Sequence, residues 1–539
     1  MTTANPLHSK HGATFELDAL CEEAFCKFIA QRTGIVLQDH QLSNLRDTVR
    51  KGCAHFSFID CAKYLHTLQQ TLDVTAPLEY LIAGVTIGES YFFRDSEQID
   101  MLKNNLFPEM IAAKRQAGNL VLRVWSAGCS QGQEIYTIAM MLHELLPDIA
   151  QWRIHLLGTD INSEVVAKAM QGRYNEWSFR ATPVELRERW FMPVGREFEI
   201  VPQIRRMVHF AYLNLTTDAY PSIHSETNAL DLILCRNVFI YLDRQAVQRS
   251  MTQYAQCLLE QGMLILGASD PLEYKHTELE WVPTKSASYL RKAAARDRAN
   301  PEIRLAPRTS TVHKARVSDG PSAGAVSKPT VLPKAPLTPS SSRQSTLEKR
   351  ITPVTTGRPG QLPEEMIEVI KLLSRSDWTA VLTHVEASCQ QGKESSELWQ
   401  MKAKALANLG RAEEALQACV RSLQLDPENK HAYLMQGLIL AELNRGQDAE
   451  DALRKALYLD RSFLEAHYEL GMLKVRAQNA PAGIKSLEVA MKLALGGDPE
   501  RELHNAAGMT YRRFAQVLQQ EIDMLGGTVK GATGITKSR

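Results

Sequence analysis

Three stretches of the sequence gather residue types that can hold a polar ligand and act on it. The first, Ala127-Gly128-Cys129-Ser130-Gln131-Gly132-Gln133-Glu134, sets small residues, over which a ligand approaches the backbone closely, ahead of a carboxylate and an amphipathic helical pattern from Ile135. No Lys follows the second glycine, which disfavours a phosphate-gripping loop of the Walker type. The second, Gly158-Thr159-Asp160, closes an apolar run at 154–157 and places an acid where it can accept hydrogen bonds from two ribose hydroxyls. Ribose without pyrophosphate points to S-adenosylmethionine. Asp160 serves equally well as the N-cap of a helix over 161–170, and on these residues alone the two readings stand level. The third is Cys235-Arg236-Asn237-Val238, at the end of an apolar run at 230–235. Cys129 and Cys235 fall at strand ends with no motif-linked His, so they read as small packing residues and not as nucleophiles.

These residues need a frame. Strand-like runs at 121–126, 154–157, 230–235 and 263–266 alternate with helical patterns, as in a parallel sheet covered by helices, whose ligands bind beyond the carboxyl ends of the strands. Ahead of them, 15–33, 42–52, 57–70 and 77–85 have helical spacing and predict a small all-helical unit. There Arg46, Arg50 and Lys51 put at least two cations on one face, either a site for an acidic partner or a solvated surface. Residues 293–361 hold nine prolines, no aromatic residue and a net charge of +8, which predicts a disordered basic linker. Beyond it the text repeats every 34 residues: Trp399, Tyr433 and His467; Ala415, Ala449 and Gly483; small Ala403, Gly437 and Gly471 beside large Leu406, Leu440, Leu453 and Leu487. These segments resemble tetratricopeptide repeats, three at 396–495 after a divergent pair at 362–395, with 500–525 as a closing helix. Such a solenoid binds a protein or peptide on its concave face. Flexible ends are expected at 1–14 and 526–539.

Composition narrows the function. Across 539 residues the net charge is +1, so no global field draws the chain to nucleic acid or acidic lipid. Nine scattered cysteines with no Cys-x-x-Cys pair argue against a disulfide scaffold or structural metal. No apolar stretch approaches the roughly 18 residues of a membrane helix, and the polar start lacks a signal core, so the expected location is cytoplasmic, without membrane insertion.

Thr86-Ile87-Gly88-Glu89-Ser90-Tyr91-Phe92-Phe93-Arg94, Arg123-Val124-Trp125-Ser126-Ala127-Gly128-Cys129-Ser130 and Leu232-Ile233-Leu234-Cys235-Arg236-Asn237-Val238-Phe239-Ile240-Tyr241 together resemble the CheR family, chemotaxis-receptor glutamate O-methyltransferases that use S-adenosylmethionine. With the linker and repeats, the chain is similar to the WspC-like subset serving alternative chemosensory pathways. The resemblance implies an α/β Rossmann-like S-adenosylmethionine methyltransferase (89–292, with a small β insertion near 191–210), preceded by an all-α domain (15–88) and followed by the repeat solenoid (362–525). It implies a cofactor site of Ser90, Arg94, Glu134, Asp160, Asn214, Leu215, Arg236 and Asn237, with Arg94 and Tyr241 acting on the acceptor and no metal. A packed core tyrosine is the other reading of Tyr241, and a surface cation that of Arg94. The implied partners are cytoplasmic helices of methyl-accepting chemotaxis proteins, with recruitment to membrane receptor arrays, and the implied second product is S-adenosyl-L-homocysteine.

Departures from the family are local. Gly88 stands where many relatives carry Asn, so lower cofactor affinity is expected; Gln133 and Asp270 each replace Glu. The helical domain is less basic than is typical, and a different receptor choice follows. Strands at 198–201 and 207–210 resemble the insertion with which some relatives hold a receptor's tail peptide, but Pro193-Val194-Gly195-Arg196 is a short loop, so tail docking is expected to be absent and the repeats to recruit the partner. Two rival functions remain: a cofactor-binding but inactive scaffold, and a methyltransferase of nucleic acid or small molecules. Cys235-Arg236-Asn237-Val238 lacks the Asn-Pro-Pro-Tyr type loop that nucleic-acid amino methylation would favour.

Overall fold

Among the described residues the helical pattern at the start closes into α1 (Ala19–Thr33), α2 (Leu42–His55), α3 (Cys61–Gln69) and α4 (Ala76–Val85). The computed structural model describes residues 17–70, 75–271, 276–284, 287–293, 364–374, 377–477, 479–499, 501–503 and 506–525. Asp18 and Asp60 cap α1 and α3, each accepting a backbone N–H at 2.7 Å. Phe25, Ile29, Leu45, Val49, Tyr64 and Leu81 form the shared core. On the cationic face, Arg46 pairs with Glu22 and Arg50 with Asp47 at 2.8 Å, so two of the three cations are already offset.

Among the described residues the chemistry-bearing region supplies ten strands: β1 (Val121–Ala127), β2 (Arg153–Asp160), β3 (Arg173–Tyr174), β4 (Phe191–Val194), β5 (Glu197–Ile200), β6 (Val208–Tyr212), β7 (Leu230–Cys235), β8 (Leu258–Leu266), β9 (Leu279–Pro283) and β10 (Ser288–Lys292). The main sheet runs β6-β2-β1-β7-β8-β10-β9; the first five are parallel, and β10 and β9 add antiparallel. β3, β5 and β4 make a separate antiparallel sheet. The sequence paired 198–201 with 207–210 in one insertion, and this is corrected: β5 pairs with β4, while β6 lies in the main sheet beside β2. The reason is a slot. Phe210 stands opposite Gly158, and a Cβ on Gly132 or Gly158 would come within 2.8 Å of its ring, so these two glycines make room for β6. Pro193 and Val194, read as loop, lie in β4, which leaves only Gly195 and Arg196 in the turn.

Among the described residues four helix pairs follow: Glu364–Ser374 with Trp378–Gln390, Ser396–Asn408 with Ala412–Leu425, Lys430–Glu442 with Gly446–Leu459, and Leu464–Arg476 with Ala480–Gly496. The small and large positions meet as the period requires: a Cβ on Gly437 would lie 2.7 Å from Leu453 Cγ. The single closing helix expected at 500–525 is corrected. Glu502–Leu503 and Ala506–Thr510 form a two-stranded ribbon, and the helix begins at Tyr511, with Phe514, Leu518 and Ile522 sealing the last repeat. The linker (beyond Ala293) and the two expected flexible ends lie outside the described residues. Among the described residues no helix is long and apolar enough to cross a membrane.

The first helices of successive repeats touch one another, which puts them on the inner side of the solenoid's curve. That inner side is not open: it meets the amino-terminal ends of β1, β2, β6 and β7. Glu226 lies at the centre of this contact, with Oε2 3.3 Å from Nδ1 of both His155 and His209, and pairs with Arg476 of the third repeat; His209 Nε2 lies 3.4 Å from Glu521. Burial pulls both imidazoles down. For His209 the neighbouring carboxylates of Glu226 and Glu521 outweigh it and push the group up to about 10. His155, whose burial is compounded by Arg123, Arg476 and His209 and only partly offset by Glu226, falls to about 3. The folded state therefore holds an extra proton on His209 above pH 6.5 and lacks one on His155 below it. The contribution of these two groups to stability should be greatest near the unfolded value of 6.5 and decline on both sides. In denaturant melts against pH, His209→Gln should flatten the alkaline limb and His155→Gln the acid limb; unaltered limbs would refute these assignments.

Candidate active site

The carboxyl ends of β1, β2 and β7 open into one cavity, where the sheet order turns through β1. All nine nominated residues line it: Ser90, Arg94, Glu134, Asp160, Asn214, Leu215, Arg236, Asn237 and Tyr241. The turn after β1 depends on Gly128, at φ +79°, where a Cβ would meet Val238 Cγ2 at 2.4 Å.

Asp160 ends β2, its two oxygens accepting the Ser130 amide at 2.9 Å and the Asn162 amide at 3.0 Å. The reading of Asp160 as a helix cap falls away: the next helix starts at Ser163, and Asn162 caps it through the amides of Glu164 and Val165. Burial lifts the Asp160 carboxyl above its ordinary value against the backbone amides that hold it down. Glu134, in the first turn of the helix Gln133–Leu145, accepts from Ser126 Oγ at 2.6 Å and pairs with Arg236 at 3.0 Å. Arg236 is spent inside the wall, donating also to Gln98 Oε1 at 2.7 Å, the Arg94 carbonyl at 2.7 Å and Asp95 at 2.8 Å. Asn214 likewise turns its amide to the Arg32 carbonyl at 2.9 Å and its oxygen to the Thr216 amide at 2.9 Å, tying the helical domain to the loop after β6.

Asn237 is different. Its backbone is held at φ +59° by Asp270, which accepts its N–H at 2.7 Å, and its Oδ1 is buried with no protein partner. Phe93, Asp95 and Ser130 share positive φ, so strained backbone gathers around this cavity. Tyr241 sits half-buried in the 3-10 turn Phe239–Tyr241; burial raises its phenol above the ordinary value, with Arg94 pulling the other way. The hydroxyl is therefore a standing donor. Arg94 stacks over Tyr91 at 5.6 Å, and no ion pair to it exists among the described residues. Cys129 and Cys235 are buried with thiols pushed well up by burial, as packing residues are.

The helical domain forms part of the wall, which sequence reasoning did not see: Thr33, Gln41, Thr86 and Ile87 line the same space. The join is backbone to backbone, Val36 donating to the Tyr241 carbonyl at 2.8 Å and Asp243 to Gly34 at 2.8 Å. Gly34, in the left-handed conformation directly after α1, was the available signal. Asp270 was noted only as a replacement for Glu; it accepts from Asn237, Ile240 and Gly267 and so fixes the whole turn that carries Asn237 and Tyr241.

The model of the CheR methyltransferase SAM-binding domain matches residues 88–288, and that of a tetratricopeptide repeat matches 396–429 and 430–463. The chemotaxis protein methyltransferase of Borreliella burgdorferi is 30% identical over 239 residues, covering 44% of this chain and 80% of that protein. The Escherichia coli chemotaxis protein methyltransferase is 30% identical over 257 residues, 47% of this chain and 84% of that one. The chain belongs to the CheR family. It is thus a chemotaxis-type methyltransferase with an S-adenosylmethionine-binding domain and tetratricopeptide repeats. The residues present fit the cofactor: Asp160 offers acceptors to ribose hydroxyls, and the orphaned Asn237 Oδ1 offers one to an ammonium group. Among the described residues no three His, Cys, Asp or Glu side chains gather as a metal site.

Proposed function

We propose that this CheR-family chain methylates glutamate side chains of a methyl-accepting chemotaxis receptor, leaving glutamate methyl esters and S-adenosyl-L-homocysteine. One observation carries the reading. The cavity presents the Arg94 cation and the protonated Tyr241 hydroxyl, while no His or Lys is among its described lining residues. The carboxylates of the wall are engaged, Glu134 with Arg236, Asp160 with two backbone amides and Glu89 with Arg180, so the wall suits an acceptor that needs no deprotonation, and a glutamate is already ionised at neutral pH. Bound there, S-adenosylmethionine would supply an electrophilic sulfonium methyl. Arg94 would draw the acceptor carboxylate in by charge, and Tyr241 would hold one of its oxygens by donating a hydrogen bond, leaving the other free to attack. The helical domain's share of the wall would limit water around that carboxylate.

The experiment is transfer of labelled methyl to cytoplasmic receptor fragments, followed by mild alkali and collection of volatile methanol. Alkali-labile label on a fragment supports glutamate esterification, whereas alkali-stable label or none refutes it. Tyr241→Phe should lower kcat about 10- to 100-fold, the value of one hydrogen bond to a charged group, with KM for S-adenosylmethionine unchanged. A changed KM with intact kcat would make Tyr241 a binding residue only. The two-residue turn Gly195-Arg196 favours the reading that receptor tails do not dock on β4 and β5. Tail peptides are expected to show no measurable affinity by calorimetry; saturable binding would overturn this.

A further inference from the structure

The loop between β6 and β7 enters the groove of the repeats. The Ile223 amide donates to Asn408 Oδ1 at 2.7 Å, and its side chain joins the apolar cluster of Leu406, Leu438 and their neighbours. Glu226 reaches Arg476, and Asn228 Nδ2 donates to Glu442 Oε1 at 2.9 Å and to the Ala407 carbonyl at 3.3 Å. Gly410, between the helices of one pair, approaches so closely that a Cβ there would lie 3.1 Å from Ala229 Cβ. The contacts come from the first helices of three successive pairs, the surface from which a solenoid of this kind takes an extended segment. The fit is incomplete: Asn408 Nδ2, Glu442 Oε2 and His224 Nε2 are buried in it without a protein partner. Groups left in that condition favour an occupant that can be exchanged.

We propose that the concave groove of the repeats is a peptide site whose resident ligand is the chain's own 222–229 loop, and that it admits an outside ligand, a short segment with an aliphatic side chain three residues ahead of a glutamate, only in exchange for that loop. The aliphatic group would take the place of Ile223 and the carboxylate that of Glu226 on Arg476. The repeats thereby grip the catalytic unit at the amino-terminal ends of its strands, opposite the cofactor cavity. This goes beyond the methyl acceptor's identity and does not depend on it.

A protease site placed in the 294–361 segment of the full chain lets the linker be cut after folding. Wild-type pieces should co-elute in gel filtration. Glu226→Lys, which faces Arg476 with a second cation, and Arg476→Glu, which faces Glu226 with a second anion, should each weaken the association about 100-fold or more. Retained S-adenosylmethionine binding certifies that the catalytic unit of Glu226→Lys is folded, and an unchanged far-ultraviolet circular dichroism spectrum of the freed repeats certifies Arg476→Glu. Wild-type pieces that part, or folded single variants whose pieces stay together, would overturn the clamp. For exchange, the probe is a fluorescein-labelled Pro-Ser-Ile-His-Ser-Glu-Thr-Asn-Ala, copying residues 221–229. Its anisotropy should report binding to the uncut Glu226→Lys chain, whose groove is vacated with Arg476 intact, at least about tenfold tighter than to wild type. Equal binding to both, or none to Glu226→Lys, would overturn the exchange.

Discussion

Asp160→Asn should weaken S-adenosylmethionine binding about 100- to 1000-fold while the protein remains folded. The carboxylate already accepts the Ser130 and Asn162 amides, and its remaining lone pairs are on the cavity wall. Two charge-assisted bonds to hydroxyls are worth about 3–4 kcal/mol together, which sets the expected factor. Asn is nearly the same size but replaces one acceptor by an NH2 group. Whichever way it turns, that group meets a backbone N–H donor, so the substitution cannot be accommodated by a flip. Isothermal titration of the cofactor measures the loss directly. An affinity within threefold of wild type would show that Asp160 only holds the loop at Ser130.

Arg236→Ala should have the largest effect on stability. The side chain is 3% exposed, and its guanidinium binds Gln98, Glu134, Asp95 and the Arg94 carbonyl at once. Removing it leaves the carboxylates of Glu134 and Asp95 facing each other with no cation between them. Breaking a buried arrangement of this kind costs about 3–5 kcal/mol, about 10 °C in the melting temperature of a domain of this size. Arg236→Lys should recover little, because a single ammonium cannot serve four acceptors spread around a planar fork. Differential scanning calorimetry decides it: a midpoint within 2 °C of wild type would mean that these bonds add nothing net. Cofactor binding should fall as well, since Glu134 loses the partner that aims it.

The frame of the site was legible because its signals are local. A glycine-rich turn after one apolar run and an acid after the next are both chemical and positional cues, and a 34-residue period survives much substitution. What was not legible depends on residues distant in sequence. β6 joins the main sheet because Gly132 and Gly158, on two other elements, leave space for Phe210. The pairing of Glu502–Leu503 with Ala506–Thr510 was hidden by a period that predicts only helices. The helical domain's share of the cavity rests on a backbone join at Gly34 that no side-chain pattern announces. One ambiguity was readable and missed: Asn162 is the better helix cap, two residues past Asp160, and its presence leaves Asp160 out of the capping role.

Strand β7 connects the two ends of the catalytic unit without interruption. Its entry follows the 222–229 loop held by the repeats, and its exit leads into Arg236 and Asn237. Six residues of strand span about 20 Å, too far for an occupant of the groove to touch the methyl acceptor. Any influence between them must therefore be thermodynamic, and thermodynamic influence runs both ways. If vacating the groove changes the affinity for S-adenosylmethionine by some factor, saturation with S-adenosylmethionine changes the affinity of the groove for its outside ligand by the same factor. The supply of methyl donor would then set how readily the repeats exchange partners, making the solenoid a reader of metabolic state as well as a tether.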